Sequence, residues 1–133
     1  GVPKIISALG LKDKEVCNIW CGGSRLWGCS TDRSDYDLYV VHRSHDEAKR
    51  VCTVRITKPV CADATLLHAD EWAVRLKLHN PIWLLFVSHP LPWMLRLDPT
   101  ELGFDITTQV LQSTMLAHSL REWTRVHKCF QQA

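Results

Sequence analysis

No stretch of this chain stays apolar for the ~20 residues a helix needs to cross a bilayer, and the longest run, Ile82 to Val87, has the length of a core segment. The sequence therefore offers no membrane span, and no secretory leader precedes its first predicted helix. Three nucleotide or nucleophile signatures are missing too. There is no Gly-x-x-x-x-Gly-Lys-Ser/Thr loop and no Gly-x-Gly-x-x-Gly turn. There is no Gly-x-Ser-x-Gly elbow either, because Ser24 is followed by Arg25 and Leu26. P-loop NTPases, dinucleotide-binding enzymes and elbow-type serine hydrolases drop out. Cysteine occurs six times but never as Cys-x-x-Cys, and His42-Arg-Ser-His45 has no second ligand pair, so a zinc centre is not expected. Charge of one sign is scarce: sixteen Lys and Arg against fourteen Asp and Glu leave +2, too little to imply a nucleic-acid or membrane partner. No internal repeat, low-complexity segment or linker is visible.

What is present suits one core. With 46% hydrophobic residues in 133, the chain supports a single domain over 1–133 and is too short for two ordinary ones. Six tryptophans are scattered from Trp20 to Trp123 without a stacking run, which favours packing over single-stranded nucleic acid. The cysteines mostly fall in apolar surroundings and read as small buried hydrophobes in a reducing compartment, so an intracellular location, cytoplasmic or nuclear, is expected. Gly1 in place of methionine points to a tag remnant, processing or a cut chain.

Periodicity gives the order of elements. Pro3 to Leu11 predicts a short amphipathic helix, and Val16 to Cys21 a first strand stopped by Gly22-Gly23. Ser24 is placed to cap a short helix through Trp27. Tyr36 to Val41 reads as a second strand, Asp46 to Arg50 as one helical turn, Val51 to Thr57 as a third strand and Val60 to Leu67 as a fourth. A helix from Ala69 to Leu78 follows, with either Trp72, Leu76 and His79 or Val74 and Leu78 as its buried stripe. Asn80-Pro81 breaks it, Ile82 to Val87 resumes as buried helix, and His89 to Pro99 is a proline-interrupted crossing. Ile106 to Phe130 predicts one long helix whose stripe (Val110, Leu111, Leu116, Leu120, Trp123, Val126, Phe130) needs a surface to cover. Its Arg121, Arg125, His127 and Lys128 form either a solvated face or a contact for one polyphosphate or a stretch of nucleic-acid backbone. The expected class is α+β or α/β: a mixed sheet of about four strands flanked by helices.

The informative segment joins the first two strands, from Gly22 to Val41. A strand running into Gly-Gly and a helix start leaves backbone amides beside residues without side chains, so a phosphate can approach closely, and Ser24 adds a hydroxyl. Asp35 and Asp37 lie two apart at the head of a strand, which turns both carboxylates to one face. Two anions on one patch repel unless a cation such as Mg2+ or Mn2+ sits between them. Two such ions, roughly 3.5 to 4 Å apart, are a common device of phosphoryl-type transfer. Asp63 is the best-placed third carboxylate, since its neighbours are small and apolar; Asp70, before Glu71-Trp72, is better explained as a helix cap. His68, His79, His89 and His118 are read as structural.

These residues resemble the DNA polymerase beta-like nucleotidyltransferase superfamily, whose signature is Gly-Ser, a spacer and Asp-x-Asp on the next strand. Ser24 and Asp35 are spaced as in its small bacterial and antibiotic-modifying members, and Gly28 and Ser34 fall where that pattern often has Gly and Ser. The match is close over about twenty residues and extends through Asp63 to about residue 87. Leu95 to Leu102 and the helix through Ser119, Trp123 and Phe130 look like phage and bacterial nucleotidyltransferase-like proteins, in which a helical region continues further. The resemblance implies a minimal nucleotidyltransferase fold, lacking that C-terminal helical extension. It implies transfer of a nucleoside monophosphate from a nucleoside triphosphate to an acceptor hydroxyl, with release of pyrophosphate. Gly23 and Ser24 are then expected to hold the triphosphate with Arg25 in support, Asp35 and Asp37 to bind both metals, and Asp63 to bind the one that activates the acceptor. The cofactor expected is a pair of Mg2+ or Mn2+ ions. The acceptor (small molecule, protein or nucleic acid) and a homodimer are left open. The alternative is a non-catalytic module on the same fold that binds nucleotide, RNA or protein, including a toxin-antitoxin component.

Overall fold

The computed structural model describes residues 1–87, 94–96 and 108–132. Along them the chain forms α1 (Val2–Ala8), β1 (Val16–Gly22), α2 (Gly23–Leu26), β2 (Tyr36–His42), β3 (Val51–Ile56), β4 (Ala62–His68), α3 (Ala69–Lys77), α4 (Pro81–Val87), β5 (Met94–Arg96) and α5 (Thr108–Gln132). The strands make one sheet of order β3-β4-β2-β1-β5. β2 and β4 are parallel and the other neighbours antiparallel. The architecture is α+β, a mixed sheet flanked by helices. Among the described residues it has five strands where the sequence pattern gives about four. The fifth, β5, is three residues long and pairs with β1 from within the predicted proline-interrupted crossing. A segment that short shows no alternation, and prolines near it are tolerated at a sheet edge. Residues 88–93, 97–107 and 133, with His89, Asp98 and Pro99 among them, lie outside the described residues.

All seven positions of β1 are buried because the strand is paired on both sides and covered on both faces. On one face, Ile19, Cys21, Leu38, Val40, Ala62, Ala64 and Leu66 pack with Ile6 and Leu9 from the first helix and its end. On the other, Trp20, Val41 and Leu67 pack with Trp72, Leu76 and Trp83. The Trp20 and Trp72 ring centroids lie 6.0 Å apart, and Trp83 meets Tyr39 edge-on at 5.8 Å. Of the two stripes possible on α3, the one through Trp72, Leu76 and His79 is inside, whereas Val74 and Leu78 face water.

Three local expectations change. Ser24 does not cap α2: the cap position is Gly22, without a side-chain bond, because the chain turns into the helix two residues earlier. Asp70 is not a cap either, since His68 Nδ1 takes the Asp70 amide at 3.1 Å and Asp70 sits in the first turn. Of the six cysteines, only Cys17 and Cys21 are buried; Cys29, Cys61 and Cys129 are exposed, on connections and on α5.

α5 touches the rest of the chain near its start, where Thr114 Oγ1 donates to the Leu78 carbonyl at 2.6 Å. Among the described residues its predicted stripe is half-buried at Val110 and Leu111 and uncovered beyond them, where Leu116, Leu120, Trp123, Val126 and Phe130 are exposed. No helix among the described residues is long and apolar enough to cross a membrane.

Candidate functional site

Strand pairing builds the site. Asp37 on β2 is the register partner of Gly22 on β1 and of Asp63 on β4, and Asp63 is the partner of Arg55 on β3. Partners on adjacent strands share a face, so Gly22, Asp37, Asp63 and Arg55 form one row across four strands. That row is on the face that carries Trp20, Val41 and Leu67. Among the described residues, α3 and α4 cover the opposite end of the strands with Trp72 and Trp83, and this end is open.

Asp35 lies just before β2, two residues from Asp37. Its Oδ2 accepts from Arg55 Nη2 at 2.7 Å, while Asp63 Oδ1 and Oδ2 accept from Arg55 Nη1 at 2.8 and 2.9 Å. One guanidinium thus ties the carboxylate just ahead of β2 to the one on β4. Both carboxylates hold its proton, Asp35 contributing most, and raise the arginine's already high pKa.

Gly23 explains how Asp37 fits. Its φ is +64°, in the left-handed region, and a side chain built there would overlap the Asp37 carboxylate, with Cγ at 2.7 Å from the added carbon. The glycine therefore serves twice, by making the turn out of β1 and by leaving room for the carboxylate. Ser24 follows in α2, half-buried beside that turn. Arg25 turns back onto the chain. Its guanidinium lies over the Tyr36 ring at 3.9 Å and donates to the Ser34 carbonyl, which fixes the loop entering β2. In this arrangement Arg25 braces Asp35 and Asp37 from behind.

The patch is electronegative. Burial raises the Tyr39 hydroxyl's pKa, and the Asp37 charge adds to the shift. Burial likewise raises the Cys21 thiol, with Arg25 opposing and Asp37 reinforcing.

Comparison with protein-family models, curated proteins and solved structures finds no match. The site is therefore weighed by its own chemistry. Asp35, Asp37 and Asp63 are hard oxygen donors, the type Mg2+ and Mn2+ prefer. Among the described residues no three His, Cys, Asp or Glu side chains close around a point that could hold an ion as they stand. The Arg55 guanidinium occupies the space between two of the three carboxylates and acts as a stand-in cation, so the donor set fits a cation in kind.

Arg55 is the site residue that sequence reasoning missed. The alternation of Val51-Cys-Thr-Val-Arg-Ile56 puts Thr53 and Arg55 on one face, but only the β3–β4 register, Arg55 opposite Asp63, says what they meet.

Proposed function

We propose that this chain is a metal-dependent nucleotidyltransferase with a minimal DNA polymerase beta-like fold. The acceptor oxygen bonds the α-phosphorus of a nucleoside triphosphate, the bond to the bridging oxygen breaks, pyrophosphate leaves with that electron pair, and the hydroxyl proton goes to solvent. The observation that carries the reading is the row Gly22, Asp37 and Asp63, with Asp35 beside it, next to the Gly23–Ser24 turn.

In this assignment Asp35 and Asp37 would hold both ions, Asp63 would share in holding the one that activates the acceptor hydroxyl, and Gly23 and Ser24 would receive the phosphates. Bound Mg2+ or Mn2+ supplies charge neutralisation and a more acidic acceptor hydroxyl. Arg25, folded over Tyr36, contributes by holding the loop that carries Asp35. The test is incubation with α-labelled ATP, CTP, GTP or UTP and Mg2+ or Mn2+, in the presence of cell RNA, protein and small-molecule fractions. Metal-dependent transfer is expected, and Asp35→Ala combined with Asp37→Ala should reduce it at least about a thousandfold. Transfer that survives the double substitution would refute the assignment.

A second reading is favoured by one observation: Arg55 already neutralises Asp35 and Asp63. A carboxylate cluster held by its own arginine can be purely architectural in a non-catalytic module for nucleotide, RNA or protein. Thermal melts separate the two. Stabilisation by Mg-nucleotide that disappears in Asp35→Ala supports a live metal site, as the enzyme requires, and no response supports the module.

A further inference from the structure

Arg55 stands on the outermost strand, where a long side chain has many solvated rotamers and a single surface ion pair rarely holds it. Its side chain is 52% exposed, yet both terminal nitrogens are engaged, one by Asp63 and the other by Asp35. Those contacts use both oxygens of Asp63 and one of Asp35. A divalent ion bridging the three carboxylates would need the same oxygens, and two cations cannot occupy one position between them.

We propose that Arg55 is an internal counter-ion that competes with divalent metal. It caps Asp35 and Asp63 while no ion is bound, and it leaves both when the three carboxylates bind one. This rests on the metal-dependent reading of the site and adds a control that the reading lacks: the intrinsic metal affinity is set by how readily one arginine is expelled. The remaining carboxylate, Asp37, is left out of the cap and stays seated against Gly23.

Titration of the metal-free full chain with Mn2+, read by the electron paramagnetic resonance of the free ion, measures this without any turnover. Arg55→Met keeps the aliphatic length and removes the cap, and it should bind Mn2+ on the order of tenfold tighter than wild type. Arg96→Met, which removes an equal charge from an arginine paired with Asp13 on the opposite edge strand, should bind as wild type does. Arg55→Lys keeps the charge but cannot span two carboxylates, so it should fall between; it carries the test if Arg55→Met loses its far-UV circular dichroism.

Equal Mn2+ affinity in wild type and Arg55→Met would overturn the competition and leave the metal site standing. Weaker binding in Arg55→Met would overturn it in favour of an arginine that holds the carboxylates in place. A matching gain in Arg96→Met would reduce the effect to net charge and overturn it as well. Absence of Mn2+ binding in every variant would overturn the competition together with the metal-dependent function.

Discussion

β2 and β4 pass through two environments on a single face of the sheet. At one end, Val41 and Leu67 are buried with Trp20, Trp72, Leu76 and Trp83. Four residues earlier on each strand stand Asp37 and Asp63, in the same register and on the same face, with Arg55 beyond them. The pairing and the face are the same at the two ends; the side chains and the cover differ. α3 and α4 exclude water from the apolar end, where each fully buried large side chain contributes roughly 1.5–3 kcal/mol. Covering the carboxylate end in the same way would bury charge at far greater cost. Stability is thus concentrated at one end of the face, and polar groups stay accessible at the other.

The largest expected contrast tests that division directly. Trp72 is 3% exposed and packs on Trp20, so Trp72→Ala should cost about 3–5 kcal/mol, roughly 10–20 °C in melting temperature. Asp63→Asn should leave the melting temperature within about 3 °C of wild type, because its side chain is 45% exposed and its partner is solvated. Comparable losses for the two substitutions would break the comparison.

Gly23 ties backbone conformation to the open end, because its turn and the Asp37 carboxylate share one space. Gly23→Ala should cost about 1–3 kcal/mol, part from the positive φ and part from displacing the Asp37 carboxylate. A double-mutant cycle apportions the two. Adding Asp37→Ala should recover some of the loss but not all, since the backbone strain remains. Full recovery would show that the left-handed turn contributes nothing, and no recovery would show that Asp37 yields to the new methyl without penalty.

Much of this layout is written locally in the chain, and the rest is not, for identifiable reasons. Asp35, Asp37 and the Gly22-Gly23 stop sit within one short segment, where a period of two and a turn signal are enough to read them. Asp63 needed a guess about a neighbouring strand, and the parallel β2–β4 pairing places it beside Asp37. Arg55 depends on the register of a hairpin, which alternation alone does not set. β5 is too short to have a period. The cap of α3 came from His68 because an imidazole nitrogen reached the Asp70 amide first, a competition between adjacent polar residues that spacing cannot rank. The stripe on α5 was legible as a helix face, but a helix pattern carries no information on what covers it.

The smallest expected effect belongs to the covered end and concerns pH. His42 closes β2, fully buried, with Nε2 donating to the Lys49 carbonyl at 2.7 Å and Nδ1 accepting from the Ser44 amide at 3.1 Å. Both ring nitrogens are satisfied only in the neutral tautomer, because a proton on Nδ1 would forfeit the Ser44 bond. Burial lowers the pKa of His42; the Lys49 carbonyl opposes that, and the neighbouring His68, whose ring lies 5.7 Å away, reinforces it. The unfolded chain therefore takes up this proton first. Stability is fully present above about pH 6.5, the ordinary histidine value, and is lost as pH falls below it toward the lowered folded value. Urea unfolding from about pH 7.5 down to about pH 5, a range that brackets the ordinary value, should show a steeper decline in wild type than in His42→Gln. The difference can reach at most about 1.4 kcal/mol per pH unit for one proton. The substituted amide can still donate to the Lys49 carbonyl but cannot titrate, so an unchanged slope would show that the buried His42 ring is not what makes the fold acid-sensitive.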